Sequence, residues 1–340
     1  MTKQELINTF KAFNNLNVLI IGDVMIDSYL WGDVSRISPE APVPIVVVNK
    51  RENRLGGAAN VILNIQSLGA NPIICSVIGN DSKGNCFIDL LEQQGITSEA
   101  IVKSDQRITT TKYRIVGNNM QMLRVDEEME HEINEKETKQ LIKNIENQVN
   151  SKQIDAIIFE DYDKGVISPL LIANVVKIAN KYHIPIAVDP KKKNFLHYKG
   201  VTLFKPNLKE LQEGLKLDHK PQQQKELADI SQILHKEFNI NIVMATLSEA
   251  GVFVSAKKKN TKTTYSDYLI PAHFRKISDV SGAGDTVISV ASLCLALKIE
   301  PDLLAQISNI AGGLVCEEVG VVPVNKKRLL EEVINLLVKK

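Results

Sequence analysis

Residues 279–286 read Asp-Val-Ser-Gly-Ala-Gly-Asp-Thr, and the apolar run Val287, Ile288, Val290, Ala291 and Leu293 follows directly. Small residues ahead of an apolar helix let its first backbone N–H groups approach a ligand, and the helix dipole makes that spot favour an anion. A carboxylate placed beside the anion is unfavourable unless it takes a proton from the group that attacks it, which is what phosphoryl transfer requires. The same spacing also suits an Asp285 that only caps the helix. Spacing alone leaves both readings open.

Working outward from the turn, apolar β-branched runs occupy 17–22, 71–79, 155–160, 184–189, 201–206 and 240–246. Such unbroken runs predict strands buried on both faces. Helical periods lie between them at about 57–69, 82–94, 135–150, 168–182, 207–214 and 222–238, and three more helices are predicted at about 283–297, 301–317 and 325–338. The pattern predicts an α/β fold whose mainly parallel central sheet is flanked by helices. Two stretches break it: 29–54, with Pro39, Pro42 and Pro44, and 108–126, where Gly117-Asn118-Asn119 supplies a hairpin turn. Both predict short strands of a small antiparallel lid, whose edges could cover a sugar site or join a second subunit. With no internal repeat and no low-complexity linker, residues 1–340 are predicted to form one domain.

Composition narrows the function. The 340 residues include 41 basic and 40 acidic side chains, so no overall field draws the chain to nucleic acid or an anionic membrane, and any anionic partner must be bound locally. Three lysines in the run 190–194, Pro-Lys-Lys-Lys-Asn, are too few for a nucleic-acid patch. No apolar run approaches a membrane span. The amino-terminal residues predict an amphipathic helix with a Thr2–Glu5 capping box, not a signal peptide. Cys75, Cys86, Cys294 and Cys316 are widely spaced, which fits free thiols and a cytoplasmic location. The six histidines show no metal-binding spacing.

The 279–286 motif resembles the C-terminal signature of the ribokinase-like (PfkB) carbohydrate kinases. Leu-Gly-Gly-Ala-Ala-Asn at 55–60 resembles their N-terminal signature, and Lys-Pro-Asn-Leu-Lys-Glu-Leu at 205–211 their Asn-x-x-Glu motif. Two further stretches, GDVMIDSYLWGDVSRISPEAPVPIVVV at 22–48 and DYDKG at 161–165, are similar to the heptose 7-phosphate kinases of lipopolysaccharide-core biosynthesis. The resemblance spans nearly the whole chain. It implies an ATP- and Mg²⁺-dependent kinase that phosphorylates O1 of D-glycero-D-manno-heptose 7-phosphate. Many such relatives are fused to a nucleotidyltransferase with an H-x-G-H motif; that motif does not occur here, so a kinase alone is expected.

The resemblance also assigns roles. Gly282, Ala283 and Gly284 become the anion hole for the γ-phosphate, and Asp285 the base for the sugar hydroxyl. Asp27, Gly56, Gly57 and Asn60 become sugar ligands. Asn207 and Glu210 face one hydrated Mg²⁺ or a nucleotide phosphate, Glu210 through water; an N-cap with a first-turn acid is the plainer alternative. Nucleotide contacts are expected to continue at Lys191, Thr246, Ser248 and Gly251. Asp279 either orients the turn or binds a cation, and the role of Asp23 stays open. A distal phosphate needs fixed positive charge, for which Lys112, Arg114 and Arg124 on the hairpin and Lys164 and Lys191 at strand ends are candidates. Glu160 stands where the heptose kinases are expected to have a small residue, and could touch a sugar hydroxyl or hydrated metal. A kinase for another sugar or nucleoside, and a sugar-binding regulator that has lost catalysis, are the alternatives. Neither G-x-G-x-x-G nor G-x-x-x-x-G-K-[ST] is present, which disfavours dinucleotide-binding and P-loop enzymes.

Overall fold

The computed structural model describes residues 1–221, 223–258, 264–273 and 275–338. In chain order its strands are β1 (Asn17–Gly22), β2 (Val24–Ile37), β3 (Pro44–Gly57), β4 (Asn71–Gly79), β5 (Ile101–Ser104), β6 (Thr111–Gly117), β7 (Met120–Glu127), β8 (Ala156–Glu160), β9 (Ile186–Asp189), β10 (Leu203–Phe204), β11 (Ile242–Thr246), β12 (Val252–Lys257) and β13 (Tyr265–Ile270). The helices are α1 (Lys3–Ala12), α2 (Ala58–Ser67), α3 (Ser82–Gln93), α4 (Glu135–Ser151), α5 (Pro169–Tyr182), α6 (Leu208–Leu215), α7 (Gln224–Glu237), α8 (Ala283–Ala296), α9 (Pro301–Val315) and α10 (Lys326–Leu337). The Thr2–Glu5 capping box at the start of α1 is formed as predicted.

Nine strands form the main sheet in the order β13-β12-β11-β10-β9-β8-β1-β4-β5. Pairing is parallel from β11 through β5 and antiparallel at β11–β12 and β12–β13. Alternation along β1 divides the core. Val18 and Ile20 pack into one apolar cluster with α1, α2, α8, α9 and α10, whereas Leu19 and Ile21 pack into another with α4, α5 and α7. Burial on both faces explains the unbroken apolar runs of the central strands. Burying each Leu or Ile side chain contributes about 1.5–3 kcal/mol before ordering costs. Helix α8 is buried from Asp285 to Leu295, and its interior hydroxyls return to the backbone: Ser289 donates to the Asp285 carbonyl at 2.6 Å and Ser292 to that of Ile288 at 2.7 Å.

A second sheet, ordered β3-β2-β6-β7, forms the predicted lid. Its two antiparallel pairs, β2–β3 and β6–β7, join through a parallel β2–β6 ladder. The turn at Asn118 and Asn119 has positive φ at both residues, 52° and 64°, and Gly117 pairs with Met120. This is the two-residue geometry whose twist suits a hairpin, and Asn tolerates it because its short side chain pays little for the left-handed conformation. Pro39 and Pro42 lie in the loop between β2 and β3, while Pro44 opens the edge strand β3, where no ladder donor is required.

Strand β3 runs from solvent into the core and ends at Gly57, which holds φ at 61° and caps α2. A Cβ there would lie 2.4 Å from the Asp23 carbonyl, which already accepts the Ala58 N–H at 3.0 Å. Gly57→Ala is expected to destabilise the fold by about 1–3 kcal/mol through backbone strain. Urea denaturation with an unchanged midpoint would contradict this account of the lid–core junction.

Candidate active site

The parallel strands end together on one side of the sheet, and polar residues crowd there: Asp23 after β1, Glu160 at the end of β8, Asp189 at the end of β9, Lys205 after β10 and Thr246 at the end of β11. Open α/β sheets bind ligands at this edge. Helix α8 aims its amino terminus at the same place. Gly282 takes φ 78° against Val321, and a Cβ on Gly284 would stand 3.7 Å from Asp189 Oδ2 and 3.8 Å from Lys205 Nζ. Gly284 in the first turn thus stands beside that pair, while the Ala283 N–H donates to the Val280 carbonyl at 3.3 Å. Asp279 braces the turn by accepting the N–H groups of Ser281 at 2.9 Å and Gly320 at 3.1 Å.

Lys205 and Asp189 form a buried ion pair at 2.8 Å. Burial works against the Lys205 ammonium, but Asp189, Glu210 and Glu160 outweigh it and hold its pKa above the ordinary lysine value. Asp285 is buried, and its Oδ1 accepts the Tyr162 hydroxyl at 3.0 Å. Burial, then the charge of Asp189, raises its pKa, while Tyr162, Asn60 and Lys205 oppose the rise. Glu160 is 1% exposed and is the register partner of Asp189. Burial, Asp189 and Asp285 push its carboxyl well above the usual range, and one oxygen, Oε2, has no hydrogen-bond partner among the described residues.

Asn207 and Glu210 form a reciprocal capping box at the start of α6, the Glu210 N–H donating to Asn207 Oδ1 at 2.9 Å and the Asn207 N–H to Glu210 Oε2 at 2.8 Å. The other Glu210 oxygen accepts from Lys191. Thr246 is bridged to Asn207 beside this cap. Ser248 is exposed with φ 55°, and at Gly251 a Cβ would fall 2.1 Å from the Ile270 carbonyl, so this glycine admits the end of β13.

The sugar-side candidates meet where the lid joins the core. A Cβ on Gly56 would lie 2.5 Å from Asp27 Oδ2, the other oxygen of Asp27 is bonded by Arg114, and Asn60 lies beside Asp285. Register places Lys112 and Arg54 opposite Asp27, and Arg114 opposite both Tyr29 and Arg124, so these residues share one lid face. The Arg54 and Arg114 guanidinium carbons stand 4.8 and 5.3 Å from the Tyr29 ring centre. Arg124 pairs with Asp126 at 3.0 Å, and Lys164 is held by Glu128 at 2.7 Å and Glu130 at 2.9 Å. Sequence reasoning missed Asp189, Lys205, Tyr162 and Arg54. The first two carried a signal, a charged residue at or just beyond an apolar strand run. Tyr162 stood in the 161–165 stretch without a role because its partner Asp285 is 123 residues away, and Arg54, paired locally with Glu52 at 2.6 Å, gave no sign of the lid face it shares.

The model of the pfkB family carbohydrate kinases matches residues 15–328, and the chain belongs to that family. It is 38% identical over 304 residues to the bifunctional protein HldE of Aliarcobacter butzleri, covering 89% of this chain and 61% of that protein. It is 37% identical over 305 residues to the bifunctional protein HldE of Helicobacter pylori, covering 89% and 63%. The chain therefore spans about three fifths of the length of these relatives. Among solved structures, the fold resembles phosphofructokinase-2 from Escherichia coli in complex with potassium, with TM-score 0.74, 18% identity and coverage of 95% of this chain and 99% of that one. Arabidopsis thaliana ribokinase complexed with ribose and ATP gives TM-score 0.69 at 13% identity, covering 93% and 99%.

Because removing one partner of a buried ion pair strands the other charge, Lys205→Met is expected to cost about 3–5 kcal/mol of stability. Replacing Asp189 with Leu as well should restore most of that loss. Denaturant melts of the single and double variants test it, and equal losses in both would contradict the pairing.

Proposed function

We propose that this chain is an ATP-dependent sugar kinase that transfers the γ-phosphoryl group to O1 of D-glycero-D-manno-heptose 7-phosphate, giving the 1,7-bisphosphate. The observation that carries the reading is Asp285 buried in the first turn of α8, with Gly284 of the same turn beside Lys205. As the sugar oxygen attacks phosphorus, Asp285 takes its proton, the new O–P bond forms, and the bond from phosphorus to the departing ADP oxygen breaks. In this reading the Gly282 and Gly284 amides and the cationic Lys205 favour the charge spread over the transferring group, whereas the Ala283 N–H is already engaged by the Val280 carbonyl. Lys191, Thr246, Ser248 and Gly251 line the nucleotide side in this reading.

Mg²⁺ fits this site as a hydrated ion. Among the described residues no three His, Cys, Asp or Glu gather as a ready cage, and both Glu210 oxygens already accept protein hydrogen bonds. Asn207 and Glu210 would therefore hold it through water, as suits a cation that keeps several waters and neutralises nucleotide phosphates.

The sugar assignment draws on the stretches at 22–48 and 161–165 and on the similarity to the HldE proteins. Asp27, Gly56, Gly57 and Asn60 would bind the hydroxyls, with Glu160 beneath them. Arg114, Arg124 and the newly placed Arg54, each paired with one carboxylate, would offer guanidinium groups and Lys112 an ammonium to the distal phosphate; Lys164, engaged by two glutamates, would contribute less. A coupled ADP-release assay across heptose 7-phosphate, unphosphorylated heptose and hexose phosphates tests the reading. Heptose 7-phosphate should give the highest kcat/KM, and loss of its phosphate should cost about 10- to 100-fold, because remote charged contacts help position the reacting hydroxyl. Equal values for the two heptoses would sink the assignment.

In this reading residues 1–340 act as one kinase domain in the cytoplasm, where ATP is supplied, and pair as a homodimer through the lid. Two features support pairing: unpaired edges at β3 and β7, and exposed Val47, Met120, Leu123 and Val125 along them. Light scattering at micromolar concentration should report twice the chain mass of 37.8 kDa. A fully active monomer would overturn the pairing.

A further inference from the structure

The loop 161–165, Asp-Tyr-Asp-Lys-Gly, is held by more buried charge than a simple connection needs. Asp23, 1% exposed, accepts the backbone N–H groups of Tyr162 at 2.9 Å, Lys164 at 3.2 Å and Val166 at 2.9 Å. Asp161, fully buried, accepts the Asp163 N–H at 2.9 Å, Asn194 at 3.1 Å and the Tyr198 hydroxyl at 2.7 Å. Arg107 donates to the Lys164 carbonyl and, at 2.6 Å, to that of His131. Burying three charged groups around one short loop is costly unless each is fully bonded. What the brace delivers is the Tyr162 hydroxyl, 3.0 Å from Asp285 Oδ1.

We propose that Tyr162 is a positioning residue for the phosphoryl transfer: its hydroxyl holds one oxygen of Asp285, turning the other toward the acceptor hydroxyl, and Asp23 holds Tyr162 in place. The proposal rests on Asp285 being the base. Facing Asp285 are Asn60 from α2, Tyr162 from the braced loop, and Glu160, Asp189 and Lys205 from the neighbouring strand ends. Burial and Asp189 raise the Asp285 pKa, and the Tyr162 bond works in the opposite direction. Tyr162 itself stays protonated, because burial and the Asp285, Glu160 and Asp189 carboxylates hold its phenol well above the ordinary tyrosine value. A neutral donor is what a carboxylate base needs in order to remain charged and oriented.

Tyr162→Phe keeps the ring, over which Lys191 lies at 5.8 Å, and removes only the donor. A hydrogen bond to a charged group is worth enough that kcat at neutral pH should fall about 10-fold or more, with the KM for ATP little changed. Without the bond the Asp285 pKa rises further, so the acid limb of the kcat–pH profile should move to higher pH. Asp23→Asn should move the limb the same way, and the double variant should lose little beyond Tyr162→Phe, since both act through one contact. Asp285→Asn is the reference. If it retains turnover, or the unaltered enzyme phosphorylates no sugar, the base assignment falls. If Asp285→Asn is inert while Tyr162→Phe keeps the unaltered kcat and acid limb, only the proposal for Tyr162 falls, even if its melting temperature drops.

Discussion

The Lys205–Asp189 ion pair is the contact on which the rest of the site depends. Asp189 closes β9 and Lys205 follows β10, so their 2.8 Å bond sets the height of two adjacent strand ends. The mouth of α8 rests above it at Gly284, where a Cβ would lie within ordinary contact range of both charged groups. Around it Glu160, Glu210 and Asp285 are buried as well, which leaves carboxylates outnumbering the two lysines, Lys191 and Lys205. A buried ion pair contributes little to stability compared with an apolar core of equal volume. In the proposed reading its persistence at the strand ends is explained by the need for a fixed cation, Lys205, beside the transferring phosphoryl group.

Lid and core are joined by continuous strands where Asp27, Gly56 and Gly57 lie. Strands β2 and β3 begin and end in the core and extend into solvent, with register irregularities between Trp31 and Gly32 and between Val34 and Arg36. Such irregularities increase local twist and re-aim side chains. Asp27 lies at the point where the two sheets meet, bonded by Arg114 from the lid and packed on Gly56 from the strand that leads into α2. Recognition of hydroxyls and recognition of a distal phosphate would therefore share one carboxylate–guanidinium unit.

The central strands were legible because burial on both faces writes an unbroken apolar run, and the helices because one buried face writes a helical period; the structure adds their caps, such as Asn134–Glu137 and Ser168. The short strand β5, the interior strand β12 and the edge strand β13 were not legible. Tyr265–Ile270 is a partly exposed edge, and its polar residues satisfy a ladder without any apolar signature. At Asn207 and Glu210 the sequence supported two readings, and the structure forms the cap, with Lys191 bonded to the second Glu210 oxygen. Lys164 looked like a free strand-end cation; Glu128 and Glu130 neutralise it across 36 and 34 residues, a distance over which no local pattern speaks.

By itself, the sequence determined the layering of sheet and helices, the two-residue hairpin at Asn118–Asn119, the glycine-rich mouth of α8 and, through three signatures, the kinase family. These are local matters of periodicity, backbone freedom and capping, encoded within a few residues of where they act. Only the tertiary structure decided which charges are spent and which are available. Asp23 became the brace of the Tyr162 loop, Asp279 the anchor of its own turn, and Asp189 with Lys205 the floor beneath Gly284. The physical reason is that a side chain's role at a buried site depends on its partners and on its exclusion from water, and both are properties of the packed chain.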